Sequence, residues 1–203
     1  MNRRVGIFCI LLGICCLLAA VGFIVYNRVE EKSAANAAES MLQNVQEQLE
    51  HSGGENVVNP AEPEENEELP QEMLTTQVDG YDCIGILSIP VLELELPVLT
   101  DWSYEKLKVA PCIYYGTYSE KDFVIAAHNY QSHFGRLSEL RPDDLILFTD
   151  VSGEVHCYEV VLLETLPGNA TEEMITSGFD LSLYTCTTGG GSRVTVRCRT
   201  MEK

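Results

Sequence analysis

One cysteine in the sequence has the setting of a nucleophile. Cys186 follows the alternating apolar stretch 181–185 and precedes a segment with three consecutive glycines, 189–191. The stretch predicts a strand and the glycines predict a loop, so the thiol would be held by a rigid element and stay accessible from outside. A thiolate in that position can attack an acyl carbon and form a covalent intermediate. Because free cysteines are often simply small buried residues, this chemistry requires partners.

Two further residues could supply those partners. His128 ends the apolar stretch 122–127 at the change from strand to loop, where an imidazole can act as general acid and base for a cysteine. Arg193 begins the last alternating stretch, and a hairpin at the glycine loop would bring its guanidinium back beside Cys186. There a positive charge would stabilise an oxyanion and favour the thiolate. Arg197 faces the same side of that strand but lies ~13 Å further away, so Arg193 is the preferred candidate.

The elements that must hold these residues begin near residue 80. From there the sequence alternates between short apolar runs and turn residues, as in β-sandwiches and β-barrels. Its helical stretches are too short for regular βαβ units, and we therefore predict a mostly β fold, a mixed barrel with short connecting helices. The predicted strands are 83–89, 92–99, 111–118, 122–128, 144–148, 154–166, 181–187 and 193–200, and the predicted helices are 104–108, 134–140 and 172–176.

Three separated motifs occur in an order typical of one enzyme family. They are the stretch 84–90, the segment Ala126-Ala127-His128-Asn129, and Leu183-Tyr184-Thr185-Cys186 followed by Arg193. This set resembles the first-strand motif, the histidine motif and the TLxTC…R signature of sortases, the Gram-positive cysteine transpeptidases, over about residues 81–200. Two positions depart from the family pattern, because Ser182 replaces the usual threonine and Ala127 replaces the usual glycine before the histidine.

The resemblance implies a fold and a mechanism. The fold would be a closed eight-stranded β-barrel in which His128, Cys186 and Arg193 converge on a surface groove. Cys186 would attack the Thr–Gly carbonyl of an LPxTG-like sorting signal, His128 would protonate the departing amine and later deprotonate the acceptor, and Arg193 would hold the oxyanion. Thr185 would help to shape the substrate site, and no metal or cofactor is needed. The partners would be surface proteins bearing the sorting signal and an amine of a peptidoglycan precursor or a pilin.

The sequence does not assign a sortase subclass. Residues 165–180, between the sixth and seventh predicted strands, are too few for the long helix of class B sortases. No Asp-Pro-aromatic lid motif precedes the barrel, although Asp101-Trp102 lies in a predicted loop. A wall-anchoring sortase, a specialised sortase and a pilus polymerase stay open, and so does calcium dependence.

The N-terminal segment has the properties of a membrane anchor. Residues 5–26 carry no charge, and a helix of that length covers ~33 Å, enough for a hydrocarbon core of ~30 Å. Arg3 and Arg4 precede it and acidic residues follow, which predicts a single-pass protein of the cell membrane with a cytoplasmic N-terminus and an extracellular catalytic domain. A cleaved signal peptide with its site near 18–20 is the alternative, but the apolar run is longer than a signal core.

The stretch between anchor and barrel is predicted to be a helix followed by a tether. Apolar residues recur at helical spacing over 34–49, as in a juxtamembrane amphipathic helix. From His51 to Asp79 the composition turns to glycine, proline and the acidic run 62–68, which favours a flexible acidic stalk. The predicted organisation is therefore an anchor over residues 1–26, a helix and linker over 27–80, and a catalytic domain over 81–203.

Charge and cysteine usage narrow the function classes. The net charge of −18 leaves no basic surface for nucleic acid, which we exclude as a partner. Outside the anchor, five cysteines lack the close pairing of a zinc site, so no structural zinc is expected, and we expect these thiols to be reduced. We interpret the other three histidines, His51, His133 and His156, as solvated or structural residues.

Two other functions compete with transpeptidation. An anchored papain-like cysteine peptidase would also use a Cys/His pair, but its thiol usually heads a helix, whereas Cys186 is predicted to end a strand. A non-enzymatic surface β-barrel that binds other molecules would carry Cys186, His128 and Arg193 only incidentally.

Overall fold

The computed structural model describes residues 3–52 and 73–201. Within these residues the chain forms nine strands and three α-helices. In chain order they are α1 (Arg3–Ser52), β1 (Thr76–Val78), β2 (Tyr81–Ile89), β3 (Leu94–Leu99), α2 (Tyr104–Leu107), β4 (Cys112–Tyr115), β5 (Phe123–Ala126), β6 (Leu145–Asp150), β7 (Val155–Pro167), α3 (Thr171–Ile175), β8 (Leu181–Cys186) and β9 (Ser192–Thr200).

Eight of the strands close into a barrel. The order of hydrogen-bonded neighbours is β2-β3-β4-β5-β8-β9-β7-β6, and β6 pairs again with β2. The pairs β3–β4 and β5–β8 are parallel, and the others are antiparallel. The ninth strand, β1, pairs antiparallel with the first three residues of β2, Tyr81–Cys83, before the pairing of β2 with β6 begins at Gly85. The prediction of a closed eight-stranded mixed barrel with short connecting helices is therefore confirmed.

One glycine permits the barrel to close. At the β2–β6 seam Gly85 pairs with Asp150, and a Cβ on Gly85 would lie 2.1 Å from the carbonyl oxygen of Thr149. Any side chain there would push the two backbones apart, so the seam requires glycine. The barrel interior behind it is filled by a single apolar cluster that includes Ile84, Leu87, Ile125, Phe148 and Leu183.

Several predicted elements are shorter than expected. The strand predicted over 111–118 is Cys112–Tyr115, the strand predicted over 122–128 is Phe123–Ala126, and two further elements are shortened for clear local reasons. The second strand begins at Leu94 instead of residue 92, because Pro90 opens a 3₁₀ turn, Pro90–Leu92, and Glu93 has a φ of 50°. Only a 3₁₀ turn, Leu137–Glu139, remains of the predicted helix over 134–140. At its start Gly135 lies against the carbonyl oxygens of the preceding loop, the nearest 2.6 Å from where its Cβ would be.

The segments predicted as a membrane anchor and a juxtamembrane helix form one continuous helix, α1. In α1 the side chains of residues 7–29 are exposed, and it is the only helix among the described residues that is long and apolar enough to cross a membrane. Further along, Ala34, Ala38, Met41 and Val45 are buried against the barrel. A second apolar cluster outside the barrel wall, under α1 and α2, holds Met41 and Val45.

The end of the predicted flexible stalk is bound to the barrel and to α1. The acidic run 62–68 lies outside the described residues. At the end of the expected stalk, however, Thr76–Val78 pairs with β2 as a strand. Polar contacts tie α1 to the same region, because Asn44 donates to Asp79 and the Thr76 hydroxyl donates to Gln48. The helix thus holds the barrel directly, whatever the intervening segment does.

Candidate active site

The three predicted site residues lie at one end of three neighbouring strands. Strand β8 runs between β5 and β9. In the parallel pair, Ala126 is opposite Tyr184, so His128 and Cys186 are both two residues beyond the paired level. In the antiparallel pair, Cys186 is directly opposite Arg193. Residues directly opposite on adjacent strands have Cβ atoms ~5 Å apart and face the same side of the sheet. All three side chains line the same groove.

The loop between β8 and β9 makes the hairpin that the glycines predict. Thr187 and Ser192 are bonded across it, with the Thr187 amide donating to the Ser192 carbonyl at 3.0 Å. Gly189 and Gly190 have φ values of 91° and 74°, a conformation that glycine adopts without strain. The short loop therefore forms a tight hairpin between β8 and β9, and this hairpin places Arg193 opposite Cys186.

The Arg193 guanidinium is held by its own loop. Its Nη1 donates to the carbonyl oxygens of Gly190 at 3.0 Å and Ser192 at 3.1 Å. Among the described residues all of its hydrogen bonds are made by Nη1, so the donors on Nε and Nη2 remain for a ligand in the groove. A guanidinium fixed in this way can bind a peptide carbonyl or stabilise an oxyanion.

His128 is half-buried, and its position is set by backbone contacts. The carbonyl before it, that of Ala127, accepts a hydrogen bond from the Thr185 hydroxyl at 2.8 Å. Its own carbonyl accepts from the Phe134 amide at 3.1 Å. Burial lowers the pKa of the imidazole below its ordinary value; the Glu30 carboxylate acts in the opposite direction, and the Lys108 ammonium adds to the lowering.

Thr185 lies under the groove and not in it. Its side chain is 3% exposed, and its hydroxyl is used for the bond to Ala127. This placement follows from strand alternation, because Tyr184 and Cys186 face the groove and Thr185 must face the barrel interior. The structure thus gives Thr185 a contact with the histidine segment, and its predicted role in shaping the substrate site stays a prediction.

Arg197 has a structural position. It is 2% exposed, and its guanidinium donates to Glu164 at 2.8 Å, to the Ser182 hydroxyl at 2.8 Å and to the carbonyl oxygens of Glu173 and Met174. These bonds tie α3 to the barrel wall beside the groove. The hydroxyl at position 182, where the family usually has threonine, is thus used to hold an arginine.

An aromatic wall that the sequence analysis missed forms one side of the groove. Trp102 contacts Tyr104 and Tyr114 with ring centroids 5.8 Å apart in each case, and Tyr114 contacts Tyr184 edge-to-face at 5.2 Å. Trp102 and Tyr104 are 42% and 72% exposed. The opposite side consists of residues around α3, among them Pro167, Gly168, Ala170 and Met174. The signal in the sequence was Trp102, the single tryptophan, in a loop next to a short helix.

The groove is suited to an extended, largely uncharged peptide. Among the described residues no carboxylate lines it, and its only permanent charge is that of Arg193. Apolar and aromatic walls with a few polar groups on the floor are typical of sites that bind one segment in one orientation. A thiol, an imidazole and a guanidinium on that floor provide a nucleophile, a general acid–base and an oxyanion donor.

The remaining cysteines and histidines lie elsewhere. None of the described cysteines forms a disulfide; Cys83, Cys112 and Cys198 are buried, and burial raises the pKa of each of these thiols, that of Cys112 to about 12. His156 is hydrogen-bonded through Nε2 to the Asp150 carboxylate at 3.2 Å in the β6–β7 turn. With Glu154 these two residues offer ligand atoms within 4.8 Å of one another, but Asp150 already accepts four hydrogen bonds there, three of them from backbone or hydroxyl of the turn.

Comparisons with known proteins find sequence and structural similarity to sortases. The chain matches the family model of the Sortase domain over residues 87–201. SortaseC1 from Streptococcus suis is 26% identical with a TM-score of 0.53, over 60% of this chain and 74% of that protein. Sortase C of Streptococcus pneumoniae is 21% identical with a TM-score of 0.55, over 87% and 90%. A Sortase D5 transpeptidase of Clostridium perfringens is 16% identical with a TM-score of 0.59, over 82% and 99%. No curated protein matches the chain.

Proposed function

This chain belongs to the sortase family, and we propose that it is a membrane-anchored cysteine transpeptidase that cleaves an LPxTG-like sorting signal and transfers the acyl group to an amine. The observation that carries the proposal is the strand register: Cys186 lies opposite Arg193 on one side and level with His128 on the other. A barrel that used these residues only for packing would have no need to expose all three on one groove.

In the first half of the reaction the Cys186 thiolate attacks the carbonyl carbon of the threonine that precedes the scissile bond. A C–S bond forms, and the negative charge moves to the carbonyl oxygen, which the free donors of Arg193 stabilise. As the C–N bond breaks, protonated His128 gives its proton to the leaving glycine amine. The products are a thioester on Cys186 and a free amine.

In the second half an acceptor amine resolves the thioester. Neutral His128 takes a proton from the amine as its nitrogen attacks the thioester carbon, and the C–S bond breaks to return the thiolate. The acceptor would be an amine of a peptidoglycan precursor or of a pilin. The donor would be a surface protein, and the apolar groove with its aromatic wall supports an uncharged donor segment.

The anchor supports the same function. A helix long enough to span a bilayer precedes the barrel, and Arg3 and Arg4 at its start favour a cytoplasmic N-terminus with the barrel outside. An enzyme tethered to the same membrane as its substrate gains in effective concentration.

The papain-like alternative is disfavoured by the position of the thiol. In the structure Cys186 is the last residue of β8, whereas the proposal of a papain-like peptidase needs a thiol at the start of a helix. The purely binding module makes a different prediction: alkylation of Cys186 would leave its function intact.

The test follows the covalent intermediate. The full chain in detergent micelles, wild type and Cys186→Ala, is incubated with a panel of Leu-Pro-x-Thr-Gly peptides, with and without triglycine, and followed by intact mass. We expect an acyl adduct in the wild type only, which triglycine converts into a new amide. An adduct that only water resolves would support the peptidase, and no adduct in either protein would overturn the proposal.

A further inference from the structure

The face of α1 that packs on the barrel ends in a carboxylate. The four residues Ala34, Ala38, Met41 and Val45 are each no more than 3% exposed, and they recur at intervals of four, three and four. Glu31 is three residues before Ala34 and therefore continues the same face of the helix toward the membrane segment. It lies where the exposed part of α1 gives way to the docked part.

Glu31 binds the loop that follows His128. Its Oε1 accepts a hydrogen bond from the Gln131 amide at 2.8 Å, although the two residues are 100 positions apart in the sequence. A carboxylate that accepts from a backbone N–H makes one of the stronger hydrogen bonds found in proteins. Next to it, Glu30 lines a small cleft with Asn129 and Tyr130.

That loop is coupled to the imidazole through ring contacts and backbone bonds. The Tyr130 ring centroid is 5.0 Å from that of His128 and 5.5 Å from that of His133. The His133 amide donates to the Tyr130 carbonyl at 2.9 Å. The His133 side chain is 0% exposed, beside the backbone of Ala34 in α1. A shift of the loop relative to α1 would therefore move the ring of His128.

The charge next to this loop has a definite sign. The Glu30 carboxylate favours the protonated imidazole of His128, whereas burial and the Lys108 ammonium favour the neutral ring. The leaving amine needs the protonated ring. The titratable and charged groups around His128 come from every element packed near it. They are Arg28, Glu30 and Glu31 on α1, Tyr104 in α2 and Lys108 after it, Tyr114 on β4, Tyr130 and His133 in the loop after His128, Tyr184 and Cys186 on β8, and Arg193 on β9.

We propose that Glu30 and Glu31 of α1 are positioning residues for His128: Glu31 fixes the loop that follows the imidazole, and Glu30 places a negative charge beside it. The proposal rests on the role of His128 in the proposed function. In this proposal α1 helps to position the general acid, because the carboxylates just beyond its uncharged segment lie against the loop that follows His128. A barrel cut from its helix would lack both carboxylates.

The first test measures turnover. The full chain in detergent micelles is assayed with a Leu-Pro-x-Thr-Gly peptide and triglycine for wild type, Glu31→Ala, Glu31→Gln and Glu39→Ala, where Glu39 is an exposed residue of the same helix. We expect Glu31→Ala to lower kcat at least about threefold with KM unchanged, because a misplaced catalytic group slows the chemical step. Glu31→Gln should restore most of the rate, since its amide oxygen still accepts from Gln131.

Two outcomes overturn the role of Glu31. One is a kcat for Glu31→Ala within threefold of the wild-type value. The other is an equal loss in Glu39→Ala, which would mean that α1 acts only through general stability. Neither outcome depends on which peptide of the panel is the best substrate.

The second test needs no substrate. The ring resonances of the four histidines are titrated by NMR in the full chain, wild type, Glu30→Gln and Glu39→Gln. Removal of the Glu30 charge should lower the pKa of His128, so its midpoint moves to lower pH, whereas Glu39→Gln leaves it in place. An unmoved midpoint in Glu30→Gln overturns the role of Glu30. This result stands even if no peptide forms an acyl adduct, so a failure of the proposed function can be told from a failure of this inference.

Discussion

At the residue scale, the two arginines of β9 have different surroundings although they face the same side of the strand. Among the residues that the structure describes, Arg193 forms hydrogen bonds only to its own loop, and it lines the groove. Arg197 is 2% exposed and bonded to Glu164 and Ser182. These surroundings support the proposed chemical role of Arg193 and indicate a structural role for Arg197, a distinction that the strand period alone does not make.

Substitution of each arginine should separate these roles. Arg193→Ala should lower the rate of Cys186 acylation at least about tenfold with little change in thermal stability, because an oxyanion donor is lost. Arg197→Ala should lower the free energy of unfolding by about 3 kcal/mol, since it leaves buried partners unpaired. Stopped-flow acylation and thermal melts of both variants measure the two effects. Equal losses of acylation rate in protein that is still folded would contradict the assignment.

The hydrogen bond from Thr185 to the residue before His128 can be tested by substitution. Thr185→Val keeps the shape of the side chain and removes the hydroxyl that donates to the Ala127 carbonyl. We expect kcat to fall about threefold with KM unchanged, and stability to fall by about 1 kcal/mol. The exposed Thr200→Val serves as the control. A rise in KM at constant kcat would instead support a direct role of Thr185 in the substrate site.

The buried His133 should make the free energy of unfolding depend on pH. Burial is the main reason that its pKa falls to about 4; the nearby His128 adds to the lowering, and the backbone of Ala34 opposes it. A group whose pKa is lower in the folded state stabilises the protein fully above its unfolded pKa of about 6.5, and that contribution is lost as pH falls toward 4.

The matched variant for this prediction is His133→Phe. Between pH 6.5 and 4 the wild-type free energy of unfolding should fall by up to about 3 kcal/mol more than that of the variant, which has no ring to protonate. Chemical denaturation at several pH values measures the difference. Parallel pH profiles for the two proteins would show that His133 is not the group responsible.

At the element scale, α1 is both the proposed membrane anchor and a part of the barrel domain. Met41 and Val45 are 1% and 0% exposed and belong to the apolar cluster outside the barrel wall, which also contains Ile86 and Leu99. Because that cluster would face water without α1, a barrel that begins at residue 81 lacks a cover for it.

A charge under the helix should undock it. Met41→Asp is expected to lower the free energy of unfolding by at least about 3 kcal/mol, because a carboxylate is placed among buried apolar residues. Gln43→Asp, at an exposed position two residues further along α1, should have little effect. Thermal melts and limited proteolysis of the full chain follow both variants. Equal stability of the two would argue against docking.

At the scale of the whole molecule, one continuous helix, α1, joins the barrel to the proposed membrane anchor. Glu31 is only five residues beyond Tyr26, the last residue of the uncharged segment, so along the helix it lies ~8 Å from that segment. The loop after His128 contacts α1 at this level. The histidine end of the barrel is therefore held close to the end of the uncharged segment, which supports the proposal that its substrates are tethered to the same bilayer.

The proposed topology can be tested with an impermeant maleimide. In cells that express the Cys186→Ala protein, the further substitution Glu120→Cys should increase labelling of intact cells, because Glu120 is exposed on the barrel. A cysteine introduced at Asn2 should be labelled only after permeabilisation, because the arginines that follow it favour the cytoplasm. The reverse pattern would place the barrel on the cytoplasmic side.

The sequence by itself determined the features that depend on neighbours in the chain. The uncharged segment 5–26 predicts an anchor, the alternation along β8 predicts a strand that ends at Cys186, and the three glycines predict a hairpin. These patterns are readable because strand and helix periods are local properties of the backbone. The order of the motifs around His128, Cys186 and Arg193 was enough to identify the family.

Only the tertiary structure decided the contacts between distant segments. That Thr185 points under the groove, that Trp102 forms a wall of it and that Glu31 holds Gln131 all depend on which strands are neighbours and on where α1 lies. The apolar spacing over 34–49 predicts an amphipathic helix but does not name the surface that it covers. That surface exists only once the barrel has closed, because the residues that form it come from separate strands brought together by packing.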